Sequence, residues 1–449
     1  MSDFKSLGVP NWLEESLNAM RIYQPTAIQR ACIPKALTGH DVIGGAKTGS
    51  GKTIAFAAPM LTEWSKDPVG PFGIVLTPTR ELALQIAEQF LALGATANIK
   101  VGIMIGGQDM ITQAIELKKR PHFIIATPGR LADHILHSGE DTIRGLRRAK
   151  YLVLDEADRL LTKSFEKDME KCLSVLPPPE KRQTLLFTAT VTDAVRSLKE
   201  KPQREGKPPV FMHEVETVDK VMIPDTLKIG YIFLPSYVKE AHLYSVLTHE
   251  DNEEKTAIVF VNRTHTAEVL RRTLRLLDVK ATSLHSEMPQ IERTNSIHRF
   301  RAGAARVLIA TDVASRGLDI PSVELVLNYD IPADPDDFVH RVGRTARAGR
   351  SGEAISFVSE KDVERILAIE ERINKKMDKY EKITDNGVIK HSLNPVAEAK
   401  REALMAMDKD GFGEKRKNQK RRAGIDTEPK HKKKKKTSST KKSKKAESD

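Results

Sequence analysis

The sequence has little cysteine and no long apolar run. Only Cys32 and Cys172 occur among 449 residues. This excludes a disulfide framework and any recognisable zinc spacing, so both are expected to be reduced packing residues. No stretch of about 18 apolar residues is present, and the N-terminus lacks the pattern of a signal peptide. A soluble intracellular protein is expected, longer than the roughly 250–300 residues at which one hydrophobic core stops growing.

The positive charge is concentrated at one end of the chain. The whole sequence carries +12, from 73 Lys and Arg against 61 Asp and Glu. Residues 414–449 contain 16 of the basic and 5 of the acidic residues, which leaves 57 and 56 in the first 413 residues. A net charge of this size is typical of nucleic-acid binding. Because the first 413 residues are nearly neutral overall, any nucleic-acid-binding surface on them must come from the local arrangement of their side chains.

The body alternates short apolar runs with helical patterns. Runs rich in Val and Ile, each followed by a helical pattern, are typical of parallel strands joined by crossover helices. Each half of the chain has about six, which predicts an α/β protein with two copies of one doubly wound parallel plan. The predicted strands cover 41–45, 72–77, 101–105, 122–127, 151–154 and 184–188, then 229–234, 257–261, 281–284, 307–311, 324–327 and 354–358.

Changes in composition predict where these halves end. The stretch 199–224 is highly charged and contains four prolines, which disfavour helix interiors and central strands. It is predicted to end the first domain and to form the linker. A helical pattern over 361–380 is predicted to close the second domain. Beyond Asp385 the apolar periodicity fades, and from Glu414 onward low hydrophobicity and high charge predict disorder.

The first motif that carries chemistry is a phosphate-binding loop. Residues 46–53 read AKTGSGKT between a predicted strand and a predicted helix, the setting such a loop requires. Its glycines let backbone N–H groups turn toward phosphate, Lys52 supplies charge for the β and γ phosphates, and Thr53 offers a hydroxyl to Mg²⁺. The first position of the general pattern is glycine, whereas this sequence has Ala46. The alternative to a phosphate-binding loop is a glycine-rich turn that contains a lysine by chance. The nucleotide-binding candidates are Ala46, Lys47, Thr48, Gly49, Ser50, Gly51, Lys52 and Thr53.

An acidic tetrad, DEAD at 155–158, follows the apolar run at 151–154. Its carboxylates are therefore expected at the carboxyl end of a strand, where α/β sheets bind ligands. Asp155 is placed to hold Mg²⁺ through its water shell, and Glu156 to orient and deprotonate an attacking water. Acidic loops at strand ends are common, but together with Lys52 this one predicts nucleotide hydrolysis.

These motifs and several others, in this order, resemble those of the DEAD-box RNA helicases. The resemblance runs from about Phe4 to about Val358 and implies two tandem RecA-like domains that use ATP and Mg²⁺ to unwind RNA locally. It implies an adenine-recognition segment at 1–30, an ATP-binding domain at 31–205, a linker at 206–225, a C-terminal helicase domain at 226–385, and a basic, largely disordered tail at 386–449. The other matching motifs are PTREL at 78–82, GG at 106–107, TPGR at 127–130, ATD at 310–312, RGLD at 316–319 and HRVGRTAR at 340–347.

The resemblance implies an adenine pocket near the N-terminus. Gln29 is similar to the residue that reads adenine, because an amide can donate to and accept from the edge of that base. Ile22 would lie against the ring, and Phe4 matches the upstream aromatic of the family. The chain departs from the family at Arg21, where glycine is usual, and at Ala27, where proline is common. These departures affect only the expected geometry of the pocket.

The second domain is expected to complete the catalytic site. Arg344 and Arg347 resemble arginine fingers, which would stabilise charge on the transferred phosphoryl group only when the domains close. A solvated helix face is the alternative for this arginine-rich stretch. Asp319 resembles the residue that contacts ribose. The third motif reads Thr188-Ala189-Thr190 instead of the usual Ser-Ala-Thr. Threonine keeps the hydroxyl, so coupling of hydrolysis to strand separation is expected to be retained.

The same resemblance implies sequence-independent contacts with RNA. Backbone amides, hydroxyls and a few guanidinium groups would hold phosphates and sugars, and contacts with the 2′-hydroxyl would favour RNA over DNA. Thr79 and Thr127 could instead be helix caps. The RNA-binding candidates are Thr79, Arg80, Gly107, Thr127, Gly129 and Arg130 in the first domain, and Arg263, Arg293 and Thr311 in the second.

The lysine runs at 432–436 and 441–445, set among serines and threonines, predict a nuclear or nucleolar address and a loose RNA tether. A solubilising tail is the alternative. The compact domain organisation, the sequence of residues 41–56 and this lysine-rich tail resemble those of the nucleolar family members that act in ribosome biogenesis, particularly the fungal small-subunit group. This implies pre-ribosomal RNA, small nucleolar RNA and an activating cofactor protein as partners, with no membrane.

Two other functions remain open at the level of the sequence. The protein could be an ATP-gated RNA clamp, a scaffold for which strand separation is incidental. It could instead remodel DNA or protein complexes. Slow RNA release without unwinding would favour the clamp, and equal stimulation of ATP hydrolysis by DNA and RNA would favour the remodeller.

Overall fold

The structure, a computed structural model, contains two parallel sheets with helices packed on both faces. It describes residues 3–46, 49–189, 191, 193–200, 206–214, 226–312, 320–346 and 351–412. Both sheets lie in one compact unit that ends at Ala403, and the last residues of the final helix belong to a second unit.

The first sheet has seven strands among the described residues, and every neighbouring pair is parallel. Their order across the sheet is β3-β4-β2-β5-β6-β1-β7. The strands are β1 Val42–Gly45, β2 Gly73–Leu76, β3 Val101–Met104, β4 Phe123–Ala126, β5 Tyr151–Asp155, β6 Gln183–Thr188 and β7 Phe211–Glu214.

The second sheet repeats this plan. Its seven described strands are again all parallel, in the order β10-β11-β9-β12-β13-β8-β14. Each strand therefore has its counterpart seven strands earlier, and the predicted doubly wound α/β fold in two copies is confirmed. The strands are β8 Leu227–Phe233, β9 Ala257–Phe260, β10 Ala281–Leu284, β11 Val307–Ala310, β12 Leu325–Asn328, β13 Gly352–Val358 and β14 Asp378–Lys379.

Helices connect the strands and cover the sheets. None of those in the described ranges is both long and apolar enough to span a membrane. In the first half they are α1 Asn11–Ala19, α2 Ala27–Leu37, α3 Lys52–Lys66, α4 Arg80–Leu93, α5 Met110–Lys118, α6 Pro128–His137, α7 Glu140–Ile143, α8 Ala157–Leu160, α9 Glu166–Val175 and α10 Asp193–Lys199. In the second half they are α11 Lys239–Thr248, α12 Thr264–Leu276, α13 Gln290–Arg301, α14 Pro335–Val342, α15 Val363–Ile373, α16 Asp385–His391 and α17 Leu393–Lys409.

The strands read as continuous apolar runs because both faces of each sheet are buried. In β4, Phe123 and Ile125 point into the core on one face, and Ile124 and Ala126 into the core on the other. This is the two-residue alternation of a strand, with helices covering both sides. The four-residue length of most strands leaves their ends close to the sheet edge, where loops can carry functional side chains.

Two edge strands lie where the sequence predicts a linker and a helix. β7 pairs with β1, and β14 pairs with β8, so each takes the same outer position in its sheet. An edge strand needs backbone partners on one side only, and it tolerates prolines nearby, such as Pro208 and Pro209. The predicted linker at 206–225 thus contains a strand of the first sheet, and the predicted helix at 361–380 ends at Ile373.

Two helices lie in the segment predicted as the start of a disordered tail. Val388 of α16 and Val396 of α17 are buried in a small cluster with α11. The apolar stripe of α17 includes Ala399, and alanine gives only a weak hydrophobic signal. The expected boundary at 386 of the basic, largely disordered tail is therefore wrong, because residues 386–412 are mostly helical. Residues 413–449 lie outside the described part of the chain.

A left-handed residue ends α1. Arg21 has φ +60°, while Ile22 N–H donates to Leu17 O and Arg21 N–H donates to Asn18 O, both at 2.9 Å. These two bonds form a Schellman motif, which favours glycine at this position. Glycine is also what the family resemblance places here. A side chain in the left-handed region costs about 1–2 kcal/mol, so this departure strains the backbone beside the predicted adenine contact Ile22.

Replacing Arg21 with glycine is expected to stabilise the protein. Glycine removes the strain of the left-handed backbone, although it also gives the unfolded chain more conformational freedom. Because the first effect is larger, the free energy of unfolding is expected to rise by about 0.5–1 kcal/mol. Thermal unfolding would record this as a rise of about 1–4 °C in the first transition. Arg21→Ala removes the same charge but keeps the Cβ, and it is expected to give no gain. An equal gain from both variants would assign the effect to charge instead of backbone.

Candidate nucleotide and RNA site

The predicted site residues of the first domain gather at the carboxyl ends of its strands. The phosphate loop follows β1, the acidic tetrad begins at the end of β5, and the third motif begins at the end of β6. These strands are neighbours in the order β5-β6-β1. The RNA-binding candidates follow β2, β3 and β4, which are neighbours in the order β3-β4-β2. One sheet edge therefore carries a nucleotide half and an RNA half side by side, at the place where open α/β sheets bind ligands.

The phosphate loop turns sharply between β1 and α3. Gly49 and Gly51 have φ +82° and +88°, left-handed values that favour glycine. Lys52 Nζ donates to Ala46 O at 2.6 Å. The ammonium group therefore lies against the backbone of the loop, where the phosphates of a nucleotide can replace the carbonyl as its partner.

Gln29 ties the predicted adenine pocket to this loop. It is almost fully buried, its Nε2 donates to Gly51 O at 3.0 Å, and its Oε1 accepts from Thr26 N–H at 2.9 Å. A Cβ at Gly51 would lie 2.2 Å from Nε2, so glycine is required for this approach. Phe4 is buried in the core, and Ile22 packs against the same core. The segment that holds Gln29 is therefore built on the first domain itself.

Two carboxylates are buried at the end of β5. Asp155 and Glu156 are 4% and 6% exposed, and Glu156 has φ +54°, a strained value of the kind found at functional sites. Burial raises the pKa of Asp155 to about 6, although Lys52 opposes the shift. Part of the Lys52 side chain is exposed, but its ammonium group is desolvated, and this burial lowers its pKa. The nearby carboxylates oppose the lowering of this pKa. The three groups form a desolvated charge cluster of the kind typical of active sites.

Among the buried oxygen atoms in this region, Ser50 Oγ and Asp155 Oδ1 have no hydrogen-bond partner within the described residues. Leaving such a group unpaired costs about 1–3 kcal/mol, and a bound ligand is one explanation for it. In the described ranges, no group of three or more His, Cys, Asp or Glu side chains is arranged to hold a metal ion by itself. A cation at this site would therefore take most of its ligands from phosphate and water.

Thr188 connects β6 to the phosphate loop. It is fully buried, it pairs with Gly45 across the β1–β6 ladder, and its carbonyl accepts from Ala46 N–H at 3.0 Å. The first residue of the predicted coupling motif is thus in direct contact with the backbone of the loop.

Two arginines of the second domain are buried. Arg341 and Arg344 are 0% and 1% exposed, so a solvated helix face is the wrong interpretation for both. Arg341 Nη2 lies 2.7 Å from Asp312 Oδ1, and Arg341 Nη1 donates to Asp330 O at 2.7 Å, which holds this segment in place. Burial is the main cause of the lowered pKa of Lys52, and the charge of Arg344 adds a smaller contribution in the same direction, which places this arginine in the same region. The fold therefore brings an arginine of the second domain to the phosphate loop of the first.

Three RNA-binding candidates of the first domain differ in what their side chains contact. Thr79 Oγ1 accepts from Leu82 N–H at 3.3 Å and caps α4, as the alternative interpretation expected. Thr127 precedes α6 but makes no such bond with its side chain. The guanidinium of Arg80 lies against a glycine pair, and a Cβ at Gly107 would lie 2.6 Å from its Nη1. Thr79 thus has a structural role besides the predicted one.

The remaining candidates also lie at helix or strand ends. Gly129 and Arg130 stand in the first turn of α6, and Arg130 Nη1 donates to Gln108 O at 3.1 Å. Arg263 is exposed directly before α12, and Thr311 directly follows β11. All four are therefore near the carboxyl edges of the two sheets.

Arg293, a predicted RNA contact, joins the two domains. Its Nη2 lies 2.7 Å from Glu81 Oε2, and Gln290 Nε2 donates to Glu81 Oε1 at 3.1 Å. Arg293 is 3% and Glu81 5% exposed. These contacts connect α13 of the second domain to α4 of the first. Sequence reasoning gave Glu81 and Gln290 no role, because a carboxylate on a helix gives no signal of a partner 212 residues away.

Five of the predicted site residues cannot be placed relative to these groups because they lie outside the described residues. They are Lys47, Thr48, Thr190, Asp319 and Arg347.

Two parallel sheets with a phosphate loop, a buried acidic pair and an arginine supplied by the other domain define a two-domain P-loop nucleoside triphosphatase. A DEAD/DEAH box helicase model matches residues 26–198, and a helicase conserved C-terminal domain model matches residues 238–349. The chain belongs to the DEAD/DEAH box helicase family, and the resemblance inferred from its motifs is confirmed.

Relatives and solved structures agree with this assignment. A Scheffersomyces stipitis protein named ATP-dependent RNA helicase DBP8 is 71% identical over 425 residues, which are 95% of this chain and 96% of that protein. A Saccharomyces cerevisiae protein of the same name is 67% identical over 422 residues, 94% and 98% of the two chains. The structure of S. cerevisiae Dbp5 bound to RNA and ADP BeF3 superposes with a TM-score of 0.71 at 30% identity, over 88% of this chain and 100% of that one. The protein is therefore an ATP-dependent RNA helicase, an enzyme that hydrolyses ATP in an RNA-dependent manner.

Proposed function

We propose that ATP and RNA together stabilise the closed arrangement of the two domains, and that hydrolysis allows them to separate. The observation that carries this proposal is the proximity of Arg344, from the second domain, to Lys52 in the first. Neither domain alone contains the full set of charged groups, so hydrolysis requires closure. Closure would bend one RNA strand across both domains and force local unpairing, and reopening would release the strand.

In the closed arrangement each charged group has a separate role in hydrolysis. Lys52 binds the β and γ phosphates, and Glu156 orients the attacking water and takes its proton. The water oxygen bonds to the γ phosphorus as the bond from this phosphorus to the β–γ bridging oxygen breaks, which yields ADP and phosphate. Arg344 and Arg347 stabilise the charge on the transferred group. Phosphoryl transfer depends mainly on such positioning and charge stabilisation.

The donor set suits Mg²⁺ as the partner of ATP. Mg²⁺ keeps several waters and binds through one or two carboxylates together with phosphates. Asp155 Oδ1 is buried without a hydrogen-bond partner in the described ranges, and Thr53 lies in the first turn of α3. Asp155 and Thr53 would hold the ion, which would neutralise phosphate charge when bound.

Loss of the Glu81–Arg293 ion pair is expected to weaken nucleotide-dependent RNA binding. In Glu81→Ala the arginine stays charged, and closure would bury it without a partner, which is costly. We expect the Kd for single-stranded RNA, measured with a nonhydrolysable ATP analogue, to rise about 10- to 100-fold. RNA binding without nucleotide should change little, because Arg293 is then exposed to water.

The matched control for this prediction is Glu15→Ala, which removes an exposed carboxylate from α1 of the same domain. The exchange Glu81→Arg with Arg293→Glu should recover part of the affinity. If Arg293 acted only by touching RNA, Glu81→Ala would leave the Kd unchanged, and the proposed role of the pair in closure would be wrong.

We further propose that this helicase acts in the nucleolus on pre-ribosomal RNA during small-subunit biogenesis, with small nucleolar RNA and an activating cofactor protein as partners. The proposal is supported by the sequence resemblance to the fungal small-subunit group. The lysine runs at 432–436 and 441–445 support nuclear entry. Crosslinking of the Glu156→Gln variant in cells should recover pre-ribosomal RNA. Recovery of messenger RNA alone, or a cytoplasmic location of the full-length protein, would contradict it.

A second candidate function is an ATP-gated RNA clamp. The buried Glu81–Arg293 pair favours it, because a stable closed state would hold RNA for longer. Unwinding of a short duplex under multiple turnover distinguishes the two. Slow RNA release with the analogue and no strand separation would support the clamp.

A further inference from the structure

The edge of the first sheet opposite the nucleotide and RNA site is strongly basic. The loops that enter β3, β4 and β5 carry exposed Lys and Arg side chains, and β2 lies between β4 and β5. These strands are mostly four residues long, so about 13 Å separates this edge from the carboxyl ends of the strands. We call this surface the basic edge, and its residues are Lys100, Lys119, Arg120, Arg144, Arg148 and Lys150.

Backbone bonds place these loops next to one another. Phe123 N–H donates to Lys100 O at 3.1 Å, Phe72 N–H to His122 O at 2.7 Å, and Lys150 N–H to Phe72 O at 2.8 Å. Lys100 and Lys150 therefore stand at opposite ends of a row of four strands. At the usual spacing between strands, this row is about 14 Å wide.

The arginines extend from a firmly packed segment. The short 3-10 helix Arg144–Arg148 is held by Leu146, which is fully buried. A Cβ at Gly145 would lie 3.0 Å from Pro71 Cδ and 3.7 Å from Arg120 Cγ, so the backbone of this helix packs closely against the loops that lead into β2 and β4. The guanidinium groups of Arg120, Arg144 and Arg148 are thus presented by backbone in fixed positions.

The charge of this edge is only weakly compensated. Lys150 lies 3.5 Å from Asp67, and Arg147 lies 2.8 Å from Glu140, with all four side chains more than half exposed. Exposed pairs of this kind contribute little. Arg120, Arg144 and Arg148 have no side-chain hydrogen bond or ion pair with any described residue.

The corresponding edge of the second sheet carries more acidic than basic residues, although its strand order is the same. Lys255, Arg275, Lys280 and Arg306 partly offset its acidic residues, Lys382 pairs with Asp251 at 2.7 Å, and Lys255 pairs with Glu353 at 3.2 Å. The fold itself therefore does not require basic residues at this edge. The acidic residues that precede β9, β10 and β12 are Glu250, Asp251, Glu253, Glu254, Asp278 and Glu324, all exposed.

We propose that the basic edge is a second RNA-binding surface, which holds the phosphates of a folded RNA arm outside the helicase cleft. Arginine is well suited to phosphate because its planar fork can donate two bonds at once. A width of about 14 Å is enough for the basic edge to contact several phosphates of an RNA arm. Among the described exposed large apolar residues, only Val69 lies in the loops that enter these strands, whereas a protein partner would need an apolar centre.

The test compares three full-length proteins with two RNAs. The edge variant is Arg144→Glu with Arg148→Glu. The matched control is Arg275→Glu with Lys280→Glu, which makes the same charge change at exposed positions before β10 of the second domain. The Kd is measured over a range of salt with a nonhydrolysable ATP analogue. One RNA is a short single strand that fills the cleft, and the other is the same strand extended by a hairpin.

The edge variant should bind the hairpin RNA at least 10-fold more weakly, with the slope of log K against log salt reduced by about 2. It should bind the short strand like the unmodified protein, and the control should bind both RNAs normally. Arg144→Ala with Arg148→Ala should show a smaller loss in the same direction, with an unchanged melting temperature.

Equal losses in the edge and control variants, or no loss in either, would overturn the proposal. If the basic edge instead bound acidic residues of a second copy of the protein, the edge variant would change the sedimentation of the protein in the absence of RNA. That result would also overturn the proposal. Failure of the unmodified protein to bind the short strand would count against the proposed cleft function and not against the basic edge.

Discussion

Glu156→Gln is expected to lower the RNA-stimulated kcat for ATP by about 10²–10⁴-fold. Glutamine keeps the shape of the side chain, but its neutral amide cannot take the proton of the attacking water. Binding of ATP and RNA should persist, because Lys52 and the RNA contacts are intact. The variant should therefore release RNA more slowly in the presence of ATP, since hydrolysis no longer opens the cleft. Steady-state ATP hydrolysis and RNA dissociation rates measure the two effects.

Glu15→Gln makes the same chemical change at an exposed position of α1 and should leave both rates unchanged. Glu156 would lose its assigned role if its variant kept more than about a tenth of the normal kcat. If hydrolysis were lost together with ATP binding, Glu156 would be a binding residue and not the base. The left-handed backbone at Glu156, with φ +54°, makes a check of the melting temperature part of the measurement.

Arg344→Ala is expected to reduce RNA-stimulated kcat by about 10³–10⁵-fold. Arg344 belongs to the second domain but acts electrostatically on Lys52 in the first, so its charge reaches the transferred phosphoryl group only after closure. ATP binding to the open protein should be close to normal. Arg344→Lys keeps the charge but loses the planar fork, and an intermediate loss is expected.

Arg365→Ala supplies the matched control, because that arginine is 47% exposed and lies 3.5 Å from Asp362 on the outside of the second domain. Arg344 is almost fully buried, so an unchanged melting temperature must accompany the loss of kcat. RNA-stimulated hydrolysis that survived Arg344→Ala would mean that the second domain does not contribute to the chemistry in the way proposed.

Much of the fold could be predicted from local patterns. The twelve predicted strands are all present, because a run such as 122–127 is buried on both faces and must be apolar throughout. The two edge strands β7 and β14 gave no such signal, since residues 211–214 are only partly buried and 378–379 are exposed. α17 was missed for a related reason, because alanine fills part of its buried stripe.

The candidate site divides in the same way. The phosphate loop and the acidic pair depend on a few consecutive residues at the end of one strand, so a local motif describes each of them. The contact of Gln29 with Gly51 and the cap formed by Thr79 needed coordinates, although both residues were already candidates. Glu81 had no assigned role, because its partners lie on another domain.

By itself, the sequence determined where the phosphate loop and the acidic tetrad lie, and it predicted which residues hold a metal ion and activate water, because these tasks depend on residue type and on spacing within one loop. It also determined that two similar sheets would form, since the apolar periodicity repeats. Only the tertiary structure decided that Arg344 reaches Lys52, that Arg293 is buried against Glu81, and that the six basic-edge residues share one surface. These relations join residues far apart in the chain, and their energies depend on distance and desolvation in the folded state.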